Sequence, residues 1–277
     1  MQTNTPPRKP IRLTRRGRVA LVMGGAVVAA TAVAVPLLIL MSGEGTRRAS
    51  LVIPEGRRAG QVYEAVDKAL RLPPGSTQKS LAKAHLRLPS EARGNPEGYL
   101  FPATYPVDKE ATPESLLRYM VDTANERFSR RTIAAGAQRN AMSVYQAVTM
   151  ASIVQAEAAT RVDMGKVARV IFNRLERGMP LQMDSTLNYA MNRSTLNTTV
   201  ADTEIDSPYN SYRRSGLPPT PIANPGEDAM HAVLTPTPGD WLYFVTVKPG
   251  DTRFTASYEE QQRNVAEFNR LRGNSSP

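Results

Sequence analysis

Between Val19 and Met41 the chain runs 23 residues without a charged side chain. At about 1.5 Å per residue, a helix of that length covers the ~30 Å hydrocarbon core of a bilayer, so the segment reads as a membrane-spanning helix. A cleaved signal peptide would carry a shorter apolar stretch of roughly 7–15 residues, with a small-residue cleavage site just beyond it. Here the small triplet Ala32-Val33-Ala34 lies inside the run. Arg8, Lys9, Arg12, Arg15, Arg16 and Arg18 precede the span with no acid among them, against Arg47 and Arg48 after it. The imbalance makes residues 1–18 a basic cytoplasmic tail, residues 19–41 a single-pass anchor in the cell membrane, and everything beyond extracytoplasmic.

This topology accounts for the charge. The chain carries 35 Lys+Arg against 25 Asp+Glu, a formal +10, but without the tail the balance is 29 to 25. Nucleic acid is therefore not an expected partner. The absence of cysteine excludes disulfides, thiolate metal sites and a Cys nucleophile. His85 and His231 are the only histidines, too few for a multi-histidine metal site. Neither metal nor cofactor is expected. The chemistry falls to carboxylates, hydroxyls and amides.

The exported part reads as α+β. After a linker over residues 42–50, Leu51-Val52-Ile53 gives a short strand signal closed by the Pro54-Glu55-Gly56 turn. Val62, Val66, Ala69 and Leu70 recur at helical spacing, and a second weak helix runs from Ser80 to Leu88. Residues 51–96 thus form a small βα module, and residues 97–272 a larger domain. In that domain Thr112-Pro113 caps a helix whose buried stripe is Leu116, Leu117, Met120, Val121, Ala124 and Phe128. Ser143 with Gln146 makes a capping box for another helix through Ala158. A third carries Val167, Val170, Ile171 and Leu175. The stretch 181–238 is rich in Asn, Ser, Thr, Pro and Tyr and lacks periodicity, as site-lining segments often do. Trp241 to Val247 is the clearest strand, with Arg253 to Thr255 placed to pair back on it and a final helix behind. Residues 273–277 form a disordered tail.

Glu157 is the most informative polar residue. Met150, Ile153 and Val154 lie seven, four and three positions before it, so its carboxyl continues an apolar helix face. Burial there raises a carboxyl pKa, as a general acid working near neutral pH requires; a structural hydrogen-bonding role is the alternative. The surrounding text is more specific. Ser152-Ile153-Val154-Gln155-Ala156-Glu157 is followed by Ile171-Phe172-Asn173-Arg174-Leu175, Gly178-Met179-Pro180-Leu181-Gln182-Met183-Asp184-Ser185-Thr186 and Asp206-Ser207-Pro208-Tyr209-Asn210-Ser211-Tyr212. Gly216-Leu217-Pro218-Pro219-Thr220-Pro221-Ile222-Ala223-Asn224-Pro225-Gly226 and Tyr243-Phe244-Val245 come next, and Ile53-Pro54-Glu55-Gly56 and Glu97-Gly98-Tyr99-Leu100-Phe101-Pro102 lie upstream.

In this order the segments resemble the YceG-like, or MltG, family of endolytic murein transglycosylases, over about Val52 to Phe268. The resemblance implies an inner-membrane enzyme with one N-terminal anchor, a small LysM-like module and a YceG-like mixed α/β catalytic domain. It also implies internal cleavage of peptidoglycan glycan strands at the MurNAc-GlcNAc β-1,4 bond, leaving 1,6-anhydroMurNAc ends and limiting the length of nascent strands. Peptidoglycan synthases are possible partners. The family's catalytic glutamate maps onto Glu157. Two departures stand out: the first acid of the family's Ser-Ile-Val-Glu-x-Glu motif is Gln155 here, and the region before Pro54-Glu55-Gly56 is short, as if the LysM-like module were truncated.

A single acid suits this chemistry, because the muramic acid C6 hydroxyl attacks its own anomeric carbon and no second carboxylate has to activate water. Gln182, Asp184 and Thr186 alternate at period two, so on an extended segment all three would face the sugar; edge solvation is the alternative. Tyr209, Asn210 and Tyr212 suit a sugar groove or, for the tyrosines, core packing. Asn173 is placed to orient Glu157, and Asn224 reads as a turn former. Two further readings stay open: a hydrolysing muramidase using Glu157 with Asp184, and a non-catalytic glycan-binding scaffold. Ser80 and Lys83 match a Ser-x-x-Lys pattern without its Lys-Thr-Gly companion, and carry no assignment.

Overall fold

The first strand finds its partner far along the chain. In a computed structural model describing residues 49–195 and 198–273, β1 (Ala49–Val52) pairs antiparallel with β2 (Thr104–Val107), from Ala49↔Val107 to Val52↔Thr104. Between them lie α1 (Ala59–Ala69), α2 (Ser76–Ala84) and a 3-10 turn at Ser90–Ala92. The expected boundary at 96/97 therefore falls inside a loop whose two flanks are joined by a strand pair. Leu51, Val62 and Val66 from one side of it share a core with Leu117, Met120 and Ile153 from the other. The described residues cluster as one compact unit. The tail 1–18, the apolar span 19–41, residues 42–48 of the linker and residues 274–277 lie outside the described residues; Ala49 and Ser50, expected as linker, open β1.

Next in the chain come α3 (Pro113–Phe128), α4 (Arg131–Arg139), α5 (Val144–Glu157) and α6 (Arg161–Glu176). The Thr112 hydroxyl accepts the Ser115 amide at 3.2 Å, and the whole expected stripe from Leu116 to Phe128 is buried. The Ser143–Gln146 box closes in both directions, at 2.9 and 3.2 Å. The helix it starts differs from an amphipathic one: from Ala147 through Val154 every side chain of α5 is buried. A helix apolar on all sides belongs at the centre of a core. Glu157 is thus the last residue of a central helix, where the core opens, and not one member of a stripe.

The stretch without periodicity holds α7 (Asp184–Ala190), a 3-10 turn at Ala201–Glu204 and α8 (Glu227–Leu234). A hairpin of β3 (Tyr243–Lys248) and β4 (Asp251–Thr255) follows, covered by α9 (Tyr258–Gly273). The mixture of helices and two small antiparallel sheets is α+β.

Two motif residues turn out to be joints. Asn224, expected to form a turn, is wholly buried and staples three segments: its Oδ1 accepts the Leu100 amide at 2.8 Å, its Nδ2 donates to the Arg57 carbonyl at 2.7 Å, and its carbonyl accepts the Gly56 amide at 2.8 Å. Gly98 has φ +84°, and a Cβ there would sit 2.5 Å from the Pro221 ring. Only glycine combines that backbone with that approach. The Glu97-Gly98 and Thr220-Pro221 segments are thereby locked together.

Candidate active site

Where α5 ends, α7 begins on the facing side. The Ser185 amide, in the first turn of α7, donates to Glu157 Oε1 at 3.2 Å. Burial pushes the Glu157 carboxyl above its usual range, the neighbouring Asp184 pushes the same way, and the hydrogen bonds from Ser185 pull it back. The Ser185 Oγ is buried beside the carboxyl and forms no well-aligned bond of its own. Some of the Glu157 side chain remains exposed. The carboxyl is desolvated on a residue that still reaches the surface. Two pockets, of about 670 and 550 Å³, open elsewhere on the surface, and Glu157 lines neither.

The remaining expected residues divide. Asp184 and Tyr212 come to the site: the Tyr212 hydroxyl donates to Asp184 Oδ1 at 2.5 Å, and both groups lie close enough to Glu157 to feel its charge. The period-two expectation over Gln182, Asp184 and Thr186 does not hold, because helix α7 starts at Asp184 and turns successive side chains in different directions. Thr186 faces inward, fully buried, bonded to the Met183 carbonyl and the Ser211 hydroxyl at 2.8 Å each. Gln182 stays exposed in a left-handed conformation with φ +56°, its Oε1 accepting from Arg174 at 2.9 Å. A non-glycine residue held there stores strain, which is common beside sites.

Asn173 is bonded to other partners than Glu157: its Nδ2 donates to the Trp241 and Gly239 carbonyls at 2.8 and 3.2 Å. Asn210 is buried, and its amide closes a loop onto the carbonyls of Thr203 and Ile205. The Tyr209 ring packs 4.9 Å from Tyr189, and its hydroxyl meets Thr220 at 2.9 Å. These three residues spend their polar groups on the surrounding framework.

Three contributors escaped the sequence reading. Ser185 supplies the amide at Glu157. Arg174 is buried with its guanidinium spread over the carbonyls of Leu242, Pro180 and Leu181, tying the residue just before β3 to the segment that leads into α7. Glu97, 4% exposed, accepts the Ala59 amide at 2.9 Å and the Tyr189 hydroxyl at 3.2 Å, and burial raises its pKa to about 7. Backbone amides and inward-turned charges leave no periodic trace; the Arg174 signal would have been a cation interrupting a buried helix face. Among the described residues, no cluster of His, Cys, Asp and Glu could hold a metal ion, and no helix is long and apolar enough to cross a membrane.

Residues 30–267 match the sequence model of the YceG-like family. The chain is 40% identical over 168 residues to an endolytic murein transglycosylase of Bacillus subtilis, a match covering 60% of this chain and 46% of that protein. With the enzyme of the same name from Streptococcus pneumoniae strain D39 it shares 38% over 184 residues, covering 64% of this chain and 33% of that one. The matched region spans less than half the length of either curated relative. The crystal structure of a YceG-like protein from Listeria monocytogenes superposes with a TM-score of 0.72 at 31% identity, covering 80% of this chain and 77% of that one.

Proposed function

This chain belongs to the YceG-like family, and from that premise we propose that it is a membrane-anchored endolytic lytic transglycosylase acting on peptidoglycan glycan strands, with Glu157 as its acid and base. The observation that carries the reading is the desolvated Glu157 carboxyl set against the Ser185 amide where the central helix ends. Protonated Glu157 donates its proton to the glycosidic oxygen as the bond to the muramic acid C1 breaks. The resulting carboxylate then accepts the proton of the C6 hydroxyl as that oxygen bonds to C1, closing a 1,6-anhydro ring and restoring the acid. The Ser185 amide favours the carboxylate form, and burial favours the acid. A group pulled both ways can give up its proton in one step and take one back in the next. An intramolecular hydroxyl also has an effective molarity on the order of 10⁵ M or more, which removes the need for a positioned water.

Asp184 and Tyr212 complete the proposed centre. Gln182 lies at its edge, while Thr186, Tyr209, Asn210 and Asn173 support its walls. Residues 19–41 anchor the chain, residues 51–96 form a shortened LysM-like region, and a peptidoglycan synthase is the proposed partner. The hydrolytic reading retains one specific support, the Asp184 carboxylate next to Glu157. Mass spectrometry of fragments released from purified sacculi by the full-length chain in detergent decides among the readings. Anhydro-muramyl ends are expected. Reducing ends would mean hydrolysis, and no release at all would leave a scaffold.

A further inference from the structure

Helix α7 has seven residues, well short of the ~12–15 at which an isolated helix becomes even marginally stable, so its position depends on what holds its ends. Its first turn faces Glu157 through Ser185. Its last turn is gripped from outside. Arg58, just ahead of α1, donates to the Asn188 carbonyl at 3.2 Å and the Arg193 carbonyl at 2.8 Å, with its guanidinium 5.4 Å from the centre of the Tyr189 ring. A cation on the carbonyls at a helix C-terminus opposes the negative end of the helix dipole. The Tyr189 hydroxyl donates to Glu97, whose other oxygen accepts the Ala59 amide at the start of α1. Ser185 and Tyr189 are one turn apart, about 6 Å along the axis.

These residues border the pocket of about 670 Å³, and four of its five charged residues, all but Glu64, are bonded within the chain. Arg58 and Glu97 hold α7. Asp67 accepts the Gly75 and Thr77 amides and the Thr77 hydroxyl, and Arg193 pairs with Asp202 at 2.6 Å. Groups saturated within the chain have little left to offer a ligand. What they do is fix a short helix between two others.

Building on the transglycosylase reading, we infer that Arg58, Glu97 and Tyr189 form a clamp of positioning residues, which sets the first turn of α7, and with it the Ser185 amide and Asp184, against Glu157. None of the three touches the reacting atoms. Loosening the clamp lets α7 shift, and misplacement of a site group by ~1 Å costs on the order of 10²-fold in rate.

The test uses the full-length chain in detergent with Tyr189→Phe, which keeps the ring on Arg58 and Tyr209 and removes one hydroxyl. Arg58→Lys is the second variant, keeping the charge and losing the two-pronged grip. Two readouts are paired: hydrogen exchange of amides 184–190 by mass spectrometry, and kcat and KM for release of glycan fragments. Each variant is expected to exchange roughly 10-fold faster in α7, with α5 unchanged, and to lose about 10-fold in kcat with KM within twofold. Exchange in α7 at the wild-type rate in both variants overturns the clamp. So does faster exchange with unaltered kcat. A wild-type chain that releases no fragment overturns the transglycosylase reading instead, and exchange at Ser185 still reports whether the grip on α7 exists.

Discussion

Helix α7 has a glutamate at each end, and burial pushes both carboxyls in the same direction. Glu97 is sealed, with one oxygen on the Ala59 amide, the other on the Tyr189 hydroxyl, and the Arg58 charge nearby. Glu157 is partly exposed, accepts one backbone amide at 3.2 Å and lies beside a buried hydroxyl without a well-formed bond. A raised pKa alone reports desolvation, which serves architecture as readily as chemistry. The difference lies in spare capacity. A sealed carboxyl with a bond to each oxygen holds a fold together; one on a half-buried residue that accepts a single backbone amide can meet a substrate.

The sharpest break of that comparison exchanges each acid for its amide. Glu157→Gln keeps the shape and an acceptor for the Ser185 amide but cannot donate the proton. Fragment release is expected to fall by ~10²–10⁴-fold while the melting temperature holds or rises. Glu97→Gln should fall far less in rate. If the order of the two is reversed, the chemistry belongs to Glu97 and the roles assigned here are wrong.

Stability against pH reads the same pair through the shift they share. Glu97 has its folded pKa raised to about 7 from the ordinary glutamate value of 4.5, so between those limits the folded state binds more protons than the unfolded one. Its contribution is fully present below pH ~4.5 and is lost as pH rises through about 7, a decline of ~3 kcal/mol. Denaturant unfolding between pH 4.5 and 8 should show that slope. Glu97→Gln should reduce it, leaving the part carried by Glu157, whose carboxyl burial also raises, with Arg58, Tyr63 and Tyr189 as the titratable groups around Glu97. A slope unchanged by the substitution would place the responsible proton elsewhere.

What the sequence revealed follows from how each feature is encoded. The stripe of α3, the Ser143–Gln146 box and the β3–β4 hairpin are periodic or local signals, and they appear as read. The β1–β2 pair is not local, and nothing in Leu51-Val52-Ile53 names Thr104–Val107 as its partner. Glu157 was legible because an acid among Met150, Ile153 and Val154 is costly unless used, although the reason differs: the helix is buried all round and ends there. One pattern recurs among the asparagines. Asn173, expected to orient Glu157, Asn210, expected in a sugar groove, and Asn224, expected to form a turn, all satisfy backbone carbonyls or amides, a task that residue type alone does not tell apart from those.

Asp184→Asn sharpens the Glu157 side. The amide still accepts the Tyr212 hydroxyl, but the negative charge beside Glu157 is gone, and that charge is one of the causes raising its pKa. Because a general acid must be protonated, the alkaline limb of the pH–rate profile should move to lower pH, with kcat reduced by roughly 3–10-fold. Complete loss of release with glycan binding intact would instead require two carboxylates, as in a hydrolase.

The smallest effect is expected two residues before the acid, at Gln155. Its Oε1 accepts the Gly226 amide at 3.0 Å while its amide group bonds the Glu55 carboxylate, so a neutral side chain joins the Pro54-Glu55-Gly56 turn to the start of α8. Gly226 permits this approach, since a Cβ there would lie 1.9 Å from Glu55 Oε1. Gln155→Glu keeps the acceptor for Gly226 and replaces the donor with a second carboxylate, next to Glu55 and near Glu227 and Asp228. Burial first, then Asp228, already raises the Glu55 pKa; Glu55 is exposed and solvent screens the added repulsion, so the cost should be only ~0.2–0.5 kcal/mol near neutral pH and fade as the carboxyls protonate. Fragment release should stay within about threefold of wild type, because the change falls on the joint and not on the acid. A large loss of activity at full stability would instead mean that position 155 shares in the chemistry, and that the chain works with its amide in a role a carboxylate cannot fill.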